Sequence, residues 1–173
     1  NNIIYMDKYE DAVENSNTAY QIAKNDGEKR FALFTNKVAF VDEGKTNEAL
    51  SEMDKQFTIA KNNNDPGAMN GDLNLMGNIL LEAGRYDAAK VKFDEAEDVQ
   101  KKGQPDFPLL YSLSGFQYCD LLLSQGNYAD VERRASQTLE WYKKYSGTGI
   151  LDTALDNLSL GRAKFLSSLR GAV

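Results

Sequence analysis

The chain has 173 residues, of which 26 are acidic and 20 basic, giving a formal charge of −6. This acidic balance argues against nucleic acid as a partner, because phosphate binding needs clustered lysine and arginine. The chain contains no histidine, which excludes Ser-His-Asp, Cys-His and histidine-metal sites within this sequence. No run approaches the roughly 18 apolar residues of a membrane span, so no membrane partner is expected.

The remaining chemistry in the sequence is sparse. Cys119 is the only cysteine, so no internal disulfide is expected, and a reducing, cytoplasmic location fits. Because Cys119 lies in an apolar run beside Asp120, we expect a buried, unreactive thiol. The oxygen-rich loop at 62–72 lacks the residue spacing of a calcium loop. We therefore predict a protein that is not an enzyme and that holds no metal or other cofactor.

Apolar residues recur at three- and four-residue steps, which is typical of α-helices. The clearest series is Tyr86, Ala89, Phe93, Ala96 and Val99. No run alternates with period two for long enough to form a strand. The sequence therefore predicts an all-α fold.

Regular breaks interrupt these helical runs. Gly44, Gly84 and Gly126 each end one run and precede another, and glycine suits the left-handed residue that closes a helix. Asp7 holds the same place in the segment MDKYEDAV, and the four positions are 37, 40 and 42 residues apart. Such a period predicts a solenoid of antiparallel helix hairpins.

The prediction is one solenoid over residues 1–173, with about four hairpins and eight helices. The hairpins occupy 1–26, 28–63, 67–103 and 107–146, with the first helix of the fourth over 107–125. An unpaired final helix covers 150–169.

The third hairpin resembles the tetratricopeptide repeat family. The resemblance rests on Gly77, Gly84, Tyr86, Ala89, Phe93 and Ala96. The fourth hairpin keeps Gly126 and Tyr128 but has Cys119 at the small contact position, where the second has Lys37. These repeats are longer than the usual 34 residues or so, as in arrays attached to bacterial signalling NTPases and regulators. The resemblance implies a right-handed superhelix.

Both ends of the chain suggest a fragment. NNIIYM is similar to the tail of a first helix that is absent. The final helix carries apolar residues on more than one side: one stripe is Leu151, Leu155, Leu158, Phe165 and Leu169, and another is Leu160, Ala163 and Leu166. Since a capping helix is polar on its outer face, we expect the chain to belong to a longer protein or to form a homodimer through this helix. A slightly apolar cap is the alternative.

In tetratricopeptide repeats the first helix of each hairpin lines a concave face that binds protein segments. The resemblance assigns this role to Phe34, Val38, Asn74, Asn78, Leu81, Glu82, Phe116, Asp120 and Arg162. Asn74 and Asn78 are four residues apart and share a helix face, where their amides could bind an extended peptide. The alternatives are solvated surface asparagines and, for Phe34 and Phe116, ordinary core residues.

The implied function is a non-catalytic scaffold that binds a peptide or protein in this groove. Glu82 and Asp120 would make part of the groove acidic, which suits a basic partner. The cations of a carboxylate clamp are absent from the matching positions. The alternative is a regulatory or self-association segment of a larger signalling protein such as an NTPase.

Overall fold

The structure is a computed structural model that describes residues 2–42, 44–146 and 149–170, with side chains from Lys8 onward except at 145 and 146. The helices are α1 (Asn2–Ile22), α2 (Asp26–Asp42), α3 (Thr46–Asn62), α4 (Pro66–Glu82), α5 (Tyr86–Gly103), α6 (Ser112–Ser124), α7 (Tyr128–Trp141) and α8 (Ile150–Arg170). A π-helical turn, Tyr142–Ser146, follows α7. The described residues include no strand, which confirms the all-α prediction.

The helices form a helical-repeat solenoid in which neighbours in sequence pack together. Most helices lie mainly against the one before and the one after them, but α6 has only a small contact with α5 and its largest contact is with α8. In addition, α4 contacts α6. The first helices of successive hairpins therefore form one layer, and the second helices form the other.

Three glycines close the first helix of three hairpins. Gly44, Gly84 and Gly126 have φ angles of 69°, 72° and 73°, a left-handed conformation that costs a glycine little. After each glycine, the next amide bonds back to a carbonyl five residues earlier, as from Arg85 to Leu80 at 2.8 Å. This closure satisfies carbonyls that the end of a helix would otherwise leave free. The turns predicted at these three glycines are confirmed, whereas the break expected at Asp7 is not seen, because α1 runs unbroken from Asn2 to Ile22.

The start of α6 differs from the prediction. A helix was expected from residue 107, but α6 begins at Ser112. Pro108 has no amide hydrogen to donate and disfavours helical geometry at Phe107. Phe107 packs its ring edge-on against Trp141, with centroids 5.3 Å apart. The segment before α6 is thus an ordered connection held by tertiary contacts.

The core runs from α2 to α8 along the contact between the two layers. Its buried members include Ala49, Met53, Leu73, Met76, Leu80, Ala89, Phe93, Ala96, Leu121, Leu122, Val131 and Ala163. At its centre Phe93 lies directly against Gly77, where an added Cβ would be 2.9 Å from the ring. The Phe93 ring also stacks on Tyr118, with centroids 5.2 Å apart. Gly77 therefore allows α4 and α5 to approach closely.

Ion pairs connect the hairpins to one another. Arg30 on α2 bonds Asp72 on α4, and Arg134 on α7 bonds Glu97 on α5 at 2.8 Å. Burial lowers the pKa of Arg134, but its bonds to Glu97 and Asp130 outweigh this and raise the pKa above its usual value. A third pair, Arg162 with Asp120, joins the final helix α8 to α6.

Candidate protein-binding surface

The nine predicted binding residues lie on α2, α4, α6 and α8, the four helices of one layer. The structure does not bring them together as one open surface. Some are exposed, whereas others are used in contacts between helices. Their positions are best described helix by helix.

Asn74 is a correction to the prediction, because it does not lie on the exposed side of α4. It is only 5 % exposed, and its Nδ2 donates to Gln117 Oε1 on α6 at 2.6 Å. A peptide in a groove cannot reach this amide while α6 covers it. Asn78 is half-buried, and its Nδ2 donates to Glu82 Oε1 at 2.8 Å. The two asparagines therefore do not present a matched pair of free amides.

The remaining residues of α4, α6 and α8 are also partly engaged. Leu81 is half-buried and packs against the core, and Phe116 is half-buried. Asp120 accepts a hydrogen bond from Arg162 Nη1, so its charge is balanced within the chain. Glu82 is exposed. The acidic character expected on this face is therefore reduced at Asp120.

Phe34 and Val38 behave differently, since both are exposed on α2. Together with Phe31 they line an open apolar groove between α1 and α2, with a volume of about 550 Å³. Tyr9 and Ala12 supply the α1 side, and the rim carries Lys8 and Asp42. We call this the α1–α2 groove. The resemblance placed Phe34 and Val38 on a binding surface but did not indicate that α1 would complete it.

Lys37 lies beside the α1–α2 groove at the small contact position of α2. It is 8 % exposed, and burial lowers its pKa, with the nearby charges of Glu82 and Asp42 opposing that effect. Its Nζ lies 4.2 Å from the centroid of the Phe34 ring. This cation–π contact holds the Phe34 ring against α2 and leaves one side of it open.

A second apolar surface lies on α8. Its exposed members are Ile150, Leu151, Leu158, Phe165 and Leu169; we call them the α8 face. The other predicted stripe packs inward, with Ala163 fully buried and Leu160 and Leu166 half-buried. The expectation that α8 is apolar on more than one side is therefore confirmed.

The described ranges offer little support for a metal site, a reactive thiol or a membrane-spanning helix. These contain no group of three or more histidine, cysteine, aspartate or glutamate residues placed to hold a metal ion. Burial raises the pKa of the Cys119 thiol to about 12, so the reactive thiolate is scarce at neutral pH. Within the same ranges, no helix combines the length and the apolarity that a membrane crossing requires.

The chain shows no significant similarity to a protein-family model or to a curated protein. Its function is therefore inferred from its own geometry.

Proposed function

We propose that this chain is a non-catalytic protein-interaction module of the tetratricopeptide-repeat type, and that it binds an apolar helical segment of a protein in the α1–α2 groove. The observation that carries the proposal is the exposure of Phe31, Phe34 and Val38 along one side of α2, at 74 %, 42 % and 39 %. Single exposed apolar residues are common, whereas a contiguous apolar groove marks an interaction site.

A helix suits the groove better than an extended strand. An extended peptide needs partners for its own backbone amides and carbonyls, but most of the groove lining is apolar. The hydroxyl of Thr35 in that lining already donates to the Phe31 carbonyl at 3.1 Å. A helix satisfies its backbone internally and presents only side chains, as in other helix-in-groove complexes.

The groove offers enough contact for a specific but modest interaction. Burying one large apolar side chain stabilises a complex by about 1.5–3 kcal/mol, before the cost of ordering the partner. Lys8 and Asp42 add opposite charges to the rim, which would favour one direction of the bound helix. Asn78 and Glu82 do not line the groove, so binding there does not require a basic segment.

Self-association is the second candidate, favoured by the exposed α8 face. Both candidates suit a regulatory segment within a larger signalling protein, as in the bacterial arrays that the repeats resemble. A cytoplasmic setting belongs to this proposal because the single cysteine is buried and unpaired, which fits a reducing compartment.

The test is a selection of peptides from a phage-displayed library of about 20 residues, long enough for several helical turns. Selected peptides are then measured against the wild-type chain and Val38→Glu by fluorescence polarisation. We expect at least a tenfold loss of affinity, roughly 1.4 kcal/mol, because the carboxylate would be buried against apolar side chains. Val91→Glu is the matched control, since Val91 is an exposed valine on the outer side of α5.

Two results would overturn this assignment. If no peptide binds more tightly than about 100 μM, the module has no such site. If the peptides lose affinity with Asn78→Ala but not with Val38→Glu, the binding surface lies on the concave side of α4.

A further inference from the structure

Within residues 2–42, 44–146 and 149–170, two surfaces lack a neighbour that equivalent surfaces elsewhere in the chain possess. The first is on α1. Ala89 and Ala96 of α5 are seven residues apart and fully buried, in the face that packs on α4. Ala12 and Ala19 of α1 have the same spacing, but Ala12 is half-buried and Ala19 is exposed. The α1 helix therefore presents to solvent the kind of face that α5 uses to hold a first helix.

The second surface is on α8. Gly77 in α4 and Gly161 in α8 each follow a buried aspartate, Asp72 and Asp156, by five residues, so they occupy equivalent places. An added Cβ at Gly77 would meet the Phe93 ring at 2.9 Å, whereas at Gly161 it would meet nothing within 4 Å. The α8 helix thus leaves open the contact that α4 makes with α5.

The same equivalence of positions between α4 and α8 explains the exposed side chains around Gly161. Leu158 stands at the position of Asn74, which α6 covers in its own repeat. Leu158 itself is 50 % exposed, and Phe165 is 63 % exposed. Two large apolar side chains therefore flank a glycine on a helix face that has no helix against it. A helix with small residues on its surface can approach such a face closely.

We propose that α8 of one copy of this chain lies in the α1–α2 groove of a second copy, so that copies associate head to tail. The inference rests on the proposed function, because it names the occupant of the same groove. The packing of α4 on α5 and α6 supplies the geometry: α8 takes the place of α4, while α1 and α2 of the next copy take the places of α5 and α6. Phe31, Phe34 and Val38 then cover Leu158 and Phe165.

The direction of α8 follows from the same comparison. As α4 and α5 form an antiparallel hairpin, α8 would run antiparallel to α1 of the next copy. The end of α8 would then lie beside the start of α1. On the α1 side the groove is lined by Lys8, Tyr9 and Ala12, whereas Glu10 and Glu14 line a separate pocket with Phe40 and Lys45. The contact therefore rests on apolar side chains and not on charge.

The association is heterologous, since the two contact surfaces differ. After one contact forms, the pair still has one free α1–α2 groove and one free α8 face. Assemblies of this type grow into chains unless their geometry closes a ring. Average mass should therefore rise with protein concentration and pass beyond that of a dimer.

The test is sedimentation velocity on the whole 173-residue chain and on two charge variants at exposed positions. Val38→Glu alters the groove, and Phe165→Glu alters the α8 face. Each alone should stay monomeric with unchanged helical circular dichroism, with at least a tenfold loss in association constant. An equimolar mixture of the two variants should form a 1:1 dimer and nothing larger. Val38→Glu keeps an intact α8 face and Phe165→Glu keeps an intact groove, so only one contact between the two variants is possible. Val91→Glu should assemble like the wild type.

Other outcomes overturn the inference. If Val38→Glu alone still dimerises, the contact is symmetric through α8; if Phe165→Glu alone dimerises, the contact does not use α8. If the wild-type chain is monomeric at all concentrations but peptides still bind the groove, this inference fails and the proposed function stands. If the chain is monomeric and no peptide binds, both fail.

Discussion

Arg30 and Asp72 lie 42 residues apart in the chain, and both ends of the Arg30 guanidinium donate to the Asp72 carboxylate, at 2.7 and 3.0 Å. Arg30 also donates to the Gln56 carbonyl at 2.6 Å, so one side chain ties α2 to α3 and α4. Asp72 is 2 % exposed. Burial raises the pKa of Asp72, and Arg30 only partly offsets that effect.

Replacing Arg30 should destabilise the fold strongly. Arg30→Ala leaves a buried carboxylate without its cation, and we expect a loss of about 3 kcal/mol in the free energy of unfolding. Urea denaturation followed by circular dichroism measures it. Lys29→Ala is the control, because Lys29 forms only an exposed pair with Asp26; the loss there should stay well below that of Arg30→Ala. Equal effects of the two variants would contradict the assignment.

Asp156 should make stability depend on pH. It is 3 % exposed, and burial raises its pKa to about 6 from 3.8, with the Thr138 hydrogen bond opposing and Asp152 adding to the rise. Because the folded pKa is the higher one, the protonated form favours folding. Its stabilising contribution is complete below pH 3.8 and is lost as pH rises through about 6.

Asp156→Asn should remove this loss of stability at higher pH, since the amide is neutral and its oxygen can still accept the Thr138 hydrogen bond. We expect the variant to be more stable than the wild type at pH 7 by about 3 kcal/mol, with the difference shrinking to zero as the pH falls towards 3.8. Urea denaturation at several pH values measures this. A variant less stable than the wild type at pH 7 would refute the prediction.

Alanine substitution at two glycines of α4 should change the stability of the fold in opposite directions. At Gly77 an added Cβ would be 2.9 Å from the Phe93 ring, but at Gly71 it would meet nothing within 4 Å. Gly77→Ala should cost about 1–3 kcal/mol through overpacking. Gly71→Ala should stabilise by up to about 1 kcal/mol, because alanine is the better helix former. Thermal unfolding of both variants provides the comparison, and a destabilised Gly71→Ala would disprove the packing argument.

The Cys119 thiol should be protected in the native state. It is 4 % exposed, and burial raises its pKa to about 12. A disulfide reagent such as DTNB at pH 8 should therefore react at the rate of unfolding and not at the rate of a free thiol. Absorbance of the released thiolate measures this, with the protein in urea as the reference. Labelling in native buffer as fast as in urea would show that the thiol is accessible.

The hairpin turns could be predicted because one residue decides each of them. Gly44, Gly84 and Gly126 have the left-handed φ angles that glycine tolerates, and this preference needs no information about distant residues. The same holds for the start of α4, where Asp65 accepts the Ala68 amide and Pro66 begins the helix.

The delayed start of α6 could be anticipated only in part. Pro108 marks a break, but the path of the chain around it depends on the contact between Phe107 and Trp141. The π-helical turn after α7 is similar, since the Tyr142 hydroxyl accepts the amide hydrogen of Ser112 at 3.1 Å. Such contacts join residues far apart in sequence, and no local pattern indicates them.

The binding residues were the least predictable part. Helical periodicity places Asn74 and Phe34 on similar sides of their helices, but it does not say how far the next first helix covers that side. The α6 helix covers Asn74 through Gln117, whereas Phe34 is left open to the α1–α2 groove. The difference depends on the offset between neighbouring hairpins, which individual helix patterns do not contain.

The ion pairs between hairpins have a mechanical consequence. Arg30–Asp72 and Arg134–Glu97 each connect one hairpin to the next, and Arg162–Asp120 connects the fourth hairpin to α8. A hairpin can then tilt against its neighbour only by lengthening a charged contact with a defined direction, so the array resists bending and twisting. High ionic strength should loosen mainly the contact between α6 and α8, because Arg162 and Asp120 are 41 % and 32 % exposed, whereas the buried pairs Arg30–Asp72 and Arg134–Glu97 are screened little.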